Sequence, residues 1–96
     1  MKYRHGDVLI TEVNGVGGKK LNHLTLAEGE VTGHSHRIKD GKAELYEHGG
    51  TMFLRVKSKD AVLTHEEHKE ITLPKGDYKI NIQREYEPAG WRYVAD

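Results

Sequence analysis

"GHSHRIKDGKAELYEHGGTMFLRV", residues 33–56, carries two tight-turn signals set between alternating apolar and polar residues. Asp-Gly and Gly-Gly pairs favour two-residue hairpins, because the central residues of such turns need positive φ. Read as such a turn, Asp40-Gly41 pairs Lys39 with Lys42, His36 with Leu45 and His34 with Glu47. Gly49-Gly50 makes a second hairpin, with Glu47 opposite Met52, Leu45 opposite Leu54 and Glu44 opposite Arg55. Side chains alternate faces along a strand. One face then holds Ile38, Ala43, Leu45, Met52, Leu54 and Val56, and the other holds Arg37, Glu44 and Arg55. The apolar face is the core face, and His34, His36 and Glu47 fall on it.

Outward from this segment the chain reads as further short strands. They are 7–13, 24–29, 30–38, 61–67, the long 78–86 and an edge strand 91–95 that carries Trp91 and Tyr93. Tight turns are expected at Lys59-Asp60 and at Pro74-Lys75-Gly76. Extending the sheet through Lys59-Asp60 adds Leu63, His65 and Glu67 to the core face, whereas a one-residue slip would present Glu66 and His68 instead. "THEEH" also fits a helical turn with Thr64 as cap and Glu67 completing a capping box. Residues 1–96 are expected to form a single all-β domain. It is a small, mainly antiparallel barrel or a two-sheet roll built from hairpins.

Composition limits the function classes. Apolar residues are 35% and charged residues 31% of the 96, so the core is thin and a homo-oligomer or a bound metal would help it. The formal net charge is zero, which gives no bulk field for nucleic acid. There are no cysteines, which excludes disulfides, thiolate metal sites and cysteine nucleophiles. No apolar run is long enough for a membrane span, and the charged N-terminus has no signal-peptide pattern. A soluble, cytoplasmic protein is expected, with no membrane partner.

Seven histidines are the unusual feature. Two imidazoles at i and i+2 on a strand can aim at one point, and a third histidine or a carboxylate completes a metal site. The candidate ligands are His34, His36, Glu47, His65 and His68, with Glu67 as ligand or general base. With no sulfur in the set, zinc, iron, manganese or nickel would suit, and the substrate would be a small molecule. In a flat sheet the row His36–Leu45–Leu54–His65 spans about 14 Å, so a closed sheet or a second protomer is needed to unite it. The ordinary alternative is two half-exposed histidines bonded to Glu47. The alternative with chemistry is metal-independent catalysis or RNA binding, in which Arg37, Arg84 and Tyr86 stand near the histidines. Arg84 falls in line with Ile80 and Ile82 and wants a carboxylate partner. His5 and His23 read as surface or turn residues, and His48 as outward-facing. Tyr46 and Phe53 form an outer aromatic pair that could serve a subunit interface.

"LAEGEVTGHSHR" (26–37) and "LTHEEHKEITLPKGDYKINIQREYEPAGWRYVAD" (63–96) resemble a family of short bacterial proteins with no assigned activity. The resemblance covers most of the chain. It places His34, His36, His65, Glu66, His68, Arg84, Glu85 and Tyr86 in matching segments and gives them no role. "GEVTGHSH", a following glutamate (Glu44 or Glu47) and "PKG" are also similar to cupin motifs. That similarity implies a His-x-His metal site on a barrel strand. The glutamate spacing is longer than in that pattern if Glu47 is the ligand, and no histidine follows "PKGDYK".

Overall fold

A computed structural model describes residues 1–28 and 33–82. Among the described residues eight strands follow in order: β1 (Lys2–His5), β2 (Val8–Val13), β3 (Lys19–Lys20), β4 (Thr25–Glu28), β5 (Ser35–Asp40), β6 (Ala43–His48), β7 (Thr51–Thr64) and β8 (Ile71–Ile82). All pairings are antiparallel, in one open sheet of order β1-β2-β8-β7-β5-β4, with β6 on β7 and β3 on β6. The fold class is therefore the expected all-β one, in its roll form, since the sheet does not close among the described residues. The parts of the expected strands at 30–32, 83–86 and 91–95 lie outside the described residues.

The Gly49-Gly50 hairpin has the register read from the sequence, from Ala43↔Val56 through Leu45↔Leu54 to His48↔Thr51. The Asp40-Gly41 hairpin does not form. β5 and β6 lie one after the other along the same strand, β5 through Arg37↔Thr64 and Ile38↔Leu63, and β6 through its six pairs with the other half of β7. Gly41 still takes positive φ (96°), but it serves a kink. A Cβ there would stand 2.5 Å from the carbonyl oxygen of Asp60, so only glycine lets the chain press onto β7 at this point. The Lys42 carbonyl accepts the N–H groups of both Lys57 and Ser58, and Ser58 Oγ accepts the Lys42 N–H, so the bulge is satisfied locally.

The turn expected at Lys59-Asp60 is likewise absent, because β7 runs through it. Val56 pairs with Gly76 and Asp60 with Pro74, so three residues of β7 stand against one of β8. The surplus bends both strands, and Pro74-Lys75-Gly76 is part of that bend within β8 and not a reversal. Apolar alternation resumes on the far side one residue out of step, with Leu54 and Val56 followed by Ala61 and Leu63, all essentially buried. Burial on both sides of the bend explains why two short expected strands fuse into one long one.

The bend folds the hairpin double. His5 stands opposite Val8, which pairs with Ile82 at one end of β8, yet its ring bonds the carbonyl of Lys69, just before the other end. In a straight strand those ends would be about 36 Å apart. Two leaves result. One comprises β1, β2, β3, β6 and the halves of β7 and β8 paired with them. The other comprises β4, β5 and the remaining halves. A single apolar cluster lies between them, drawn from Val8, Ile10, Leu45, Leu54 and Tyr78 on one leaf and Leu26, Ile38, Leu63 and Leu73 on the other. Among the described residues, no helix is long and apolar enough to cross a membrane.

Candidate metal centre

The open end of the two leaves is closed by histidine. His36 lies on β5 two residues before buried Ile38, so strand alternation aims it inward, and it is 2% exposed. His65 follows the last residue of β7. Continuing the register Arg37↔Thr64 by one step sets it across from His36, and their ring centroids are 4.3 Å apart. Direct pairing of β5 with the second half of β7 thus unites the two histidine motifs within one chain, without a closed sheet.

His68 comes from the loop 65–70, with its ring centroid 4.7 Å from that of His65 and 5.6 Å from that of His36. This loop is irregular, not the helical turn considered from the sequence. Its local bond runs from the Glu67 N–H to His65 Nδ1 at 3.0 Å. Two clamps tie the loop to β5. Glu66 accepts the Ser35 N–H at 3.0 Å and Arg37 Nη1 at 2.9 Å, and Lys39 Nζ lies 2.9 Å from Glu70. These bonds, the backbone N–H first, hold the Glu66 carboxyl down at about 2.

His34 stands at the rim of the cluster. Its Nδ1 is buried without a hydrogen-bond partner among the described residues, 3.6 Å from a Glu67 carboxylate oxygen. The fifth ring is His5, read as a surface residue from the sequence and in fact 2% exposed. Its Nδ1 lies 2.9 Å from His36 Nδ1 and its Nε2 3.0 Å from the Lys69 carbonyl oxygen. The signal was present: Gly6-Asp7 is a two-residue turn that sets His5 opposite Val8, the start of the most apolar strand of the N-terminal half. Asp7, also missed, places Oδ1 3.5 Å from His36 Nε2.

Burial shapes the electrostatics. His36 is pushed down to about 4, chiefly by desolvation, then by the rings of His65 and His5, with the Asp7 carboxylate pulling the other way. His5 is lowered chiefly by burial, against the opposing effect of its bond to Lys69. His65 is lowered by burial and then by His68. Near neutral pH these three are neutral rings with one lone pair each. That of His65 lies on Nδ1 and takes the Glu67 N–H, so a metal at His65 would compete with that bond.

Ring nitrogens of His36, His65 and His68 lie within 4.8 Å of one another, and so do ligand atoms of His34, His65 and Glu66. Nitrogens on one tetrahedral ion at 2.1 Å are about 3.4 Å apart, so the first trio needs only modest inward shifts.

Four of the expected ligands, His34, His36, His65 and His68, are therefore neighbours. Glu47 is not opposite His34. It pairs with Met52 and with Lys19 on the opposite leaf and is exposed, because the hairpin that would have joined it to His34 is a kink. Glu67 is exposed beside His34, and Arg37 is engaged by Glu66. Arg84 and Tyr86 lie outside the described residues.

The model of one protein family, described as Domain of unknown function (DUF8820), matches residues 4–83. That span takes in all five clustered histidines, and it agrees with the resemblance to proteins without assigned activity. No curated protein and no solved structure matches the chain, and nothing in these comparisons carries the cupin similarity.

Proposed function

The chain belongs to the DUF8820 family, and for it we propose the binding of a divalent transition metal by His36, His65 and His68. The observation that carries this reading is the convergence of three imidazoles at the mouth of the two leaves, with ligand atoms within 4.8 Å of one another. Burial supports it. Three close rings packed against an apolar core would repel one another if protonated, and the arrangement keeps His36 and His65 neutral. An all-nitrogen trio with carboxylates nearby suits zinc, iron, manganese or nickel. As a trio it leaves one tetrahedral position for a further ligand, from this chain or from a small molecule.

Burial also weighs against a metal-independent ribonuclease. His5 and His36 are 2% exposed and His65 8%, so a phosphodiester would have to displace the loop 65–70 to reach them.

Elemental analysis of untagged protein, with thermal shifts on adding zinc, iron, manganese or nickel, tests the reading. About one ion per chain is expected, together with a rise in melting temperature that His36→Ala and His65→Ala abolish. Less than about a tenth of an ion per chain, with no shift from any of the four, would overturn it.

A further inference from the structure

The turn His5-Gly6-Asp7 joins β1 to β2 and lies across the histidine cluster. Its contacts specify more than packing. A backbone carbonyl only accepts, so the contact of His5 Nε2 with the Lys69 oxygen at 3.0 Å puts the His5 proton on Nε2. In the neutral ring, Nδ1 then holds a lone pair. The 2.9 Å between His5 Nδ1 and His36 Nδ1 needs one proton between two nitrogens, and His36 must supply it. His36 is thereby fixed as the Nδ1–H tautomer with a bare Nε2. That lone pair faces Asp7 Oδ1 across 3.5 Å. Two acceptors that face each other at this distance have no hydrogen to share. The spacing matches the roughly 3.4 Å between two ligand atoms on one tetrahedral ion.

We propose that this turn is the second half of the metal centre: His5 is a positioning residue that presents His36 Nε2 to the ion, and Asp7 is an oxygen ligand. The proposal rests on the metal-binding reading and adds to it the identity of the metallated nitrogen and a hard donor. Relaying a ligating histidine's other nitrogen to a carbonyl through a second imidazole does what a carboxylate or carbonyl does when bonded directly. A carboxylate in the set favours zinc, manganese or iron over copper(I).

Two measurements test it. In metal-free protein at pH 7.5, two-bond 1H–15N NMR reads histidine tautomers directly. His5 is expected as Nε2–H and His36 as Nδ1–H. His36 found as Nε2–H would overturn the proposal without any variant. In the second, cobalt(II) and zinc are titrated into the native protein, His5→Leu, His5→Gln and Asp7→Asn, with circular dichroism confirming the fold. A glutamine at 5 can accept from His36 and donate to Lys69, so His5→Gln should bind within about threefold of native, while His5→Leu loses 10- to 100-fold. Asp7→Asn should lose at least about tenfold and alter the visible cobalt spectrum. Native binding with unchanged affinity in His5→Leu and Asp7→Asn would sink this inference and leave the parent reading standing. Native protein that takes up neither ion sinks both.

Discussion

Gly6 stands directly on His68: a Cβ at residue 6 would lie 2.6 Å from His68 Nε2 and 3.0 Å from His36 Cε1. Gly6 also has φ of 63°, so a side chain there would be strained as well as obstructed. The absence of a side chain at one turn therefore sets how closely the two leaves meet at the cluster.

Gly6→Ala should push the His68 ring aside and force the turn away from it. The expected loss of stability is about 1–2 kcal/mol from the left-handed φ, with a weakening of zinc binding of tenfold or more. Gly15→Ala is the matched control, since Gly15 has φ of 95° and nothing near its Cβ. It should show a similar backbone strain with native metal affinity. Urea melts and zinc titrations on both variants separate strain from obstruction.

Metal-free protein should lose stability as pH falls from about 6.5 to about 4. Above 6.5 neither folded nor unfolded His36 holds a proton. Between the two values the unfolded chain binds the proton that the buried ring, lowered to about 4, refuses. The loss is complete below the folded value and amounts to roughly 3 kcal/mol for this group. His5 and His65, also lowered, act in the same direction. Urea midpoints in EDTA at pH 7.5 and pH 5 measure the effect, and His36→Gln should flatten the slope. Equal midpoints at the two pH values in the native protein would contradict this account.

Glu66→Gln should weaken zinc binding severalfold without unfolding the protein. It weakens the bonds to Ser35 and Arg37 that hold the loop of His65 and His68 to β5. The expectation fails if affinity is native while amide exchange of residues 65–70 speeds up.

Glu47→Gln should leave metal affinity within about twofold of native, because its strand neighbours are Met52 and Lys19 and not the histidines. A tenfold loss would restore the sequence-based assignment of Glu47 to the site.

Much of this architecture could be read before any coordinates. Alternation around Gly49-Gly50 fixes the β6–β7 register pair by pair, because turn chemistry and burial agree there. Asp40-Gly41 and Lys59-Asp60 misled for different reasons. Lys59-Asp60 has no glycine and lies at a bulge that β7 passes through without reversing. At Gly41, a glycine with positive φ serves a kink as readily as a reversal, and the choice depends on what the neighbouring strand offers. Pairing β5 with the second half of β7 buries Ile38 against Leu63, which a local hairpin against Ala43 could not match. The inward position of His36 was legible through strand parity, since a shift of partner strand left it on the inner face, whereas His68 comes from a loop that parity does not govern. Glu47 was misplaced because its assignment needed the partner strand and not parity alone. His5 and Asp7 escaped notice because their contacts with His36 depend on the two leaves meeting, which no local pattern encodes.

The doubled hairpin gives the His5–His36 contact a second meaning. One ring belongs to the first strand of the chain and the other to the leaf across the bend, so the pair acts as a latch on a clasp whose hinge is the bulge of β7 and β8. Opening the clasp must break the latch. An ion held by both sides would therefore raise the barrier to opening, and slow exchange at the bend would report on occupancy at the distant mouth.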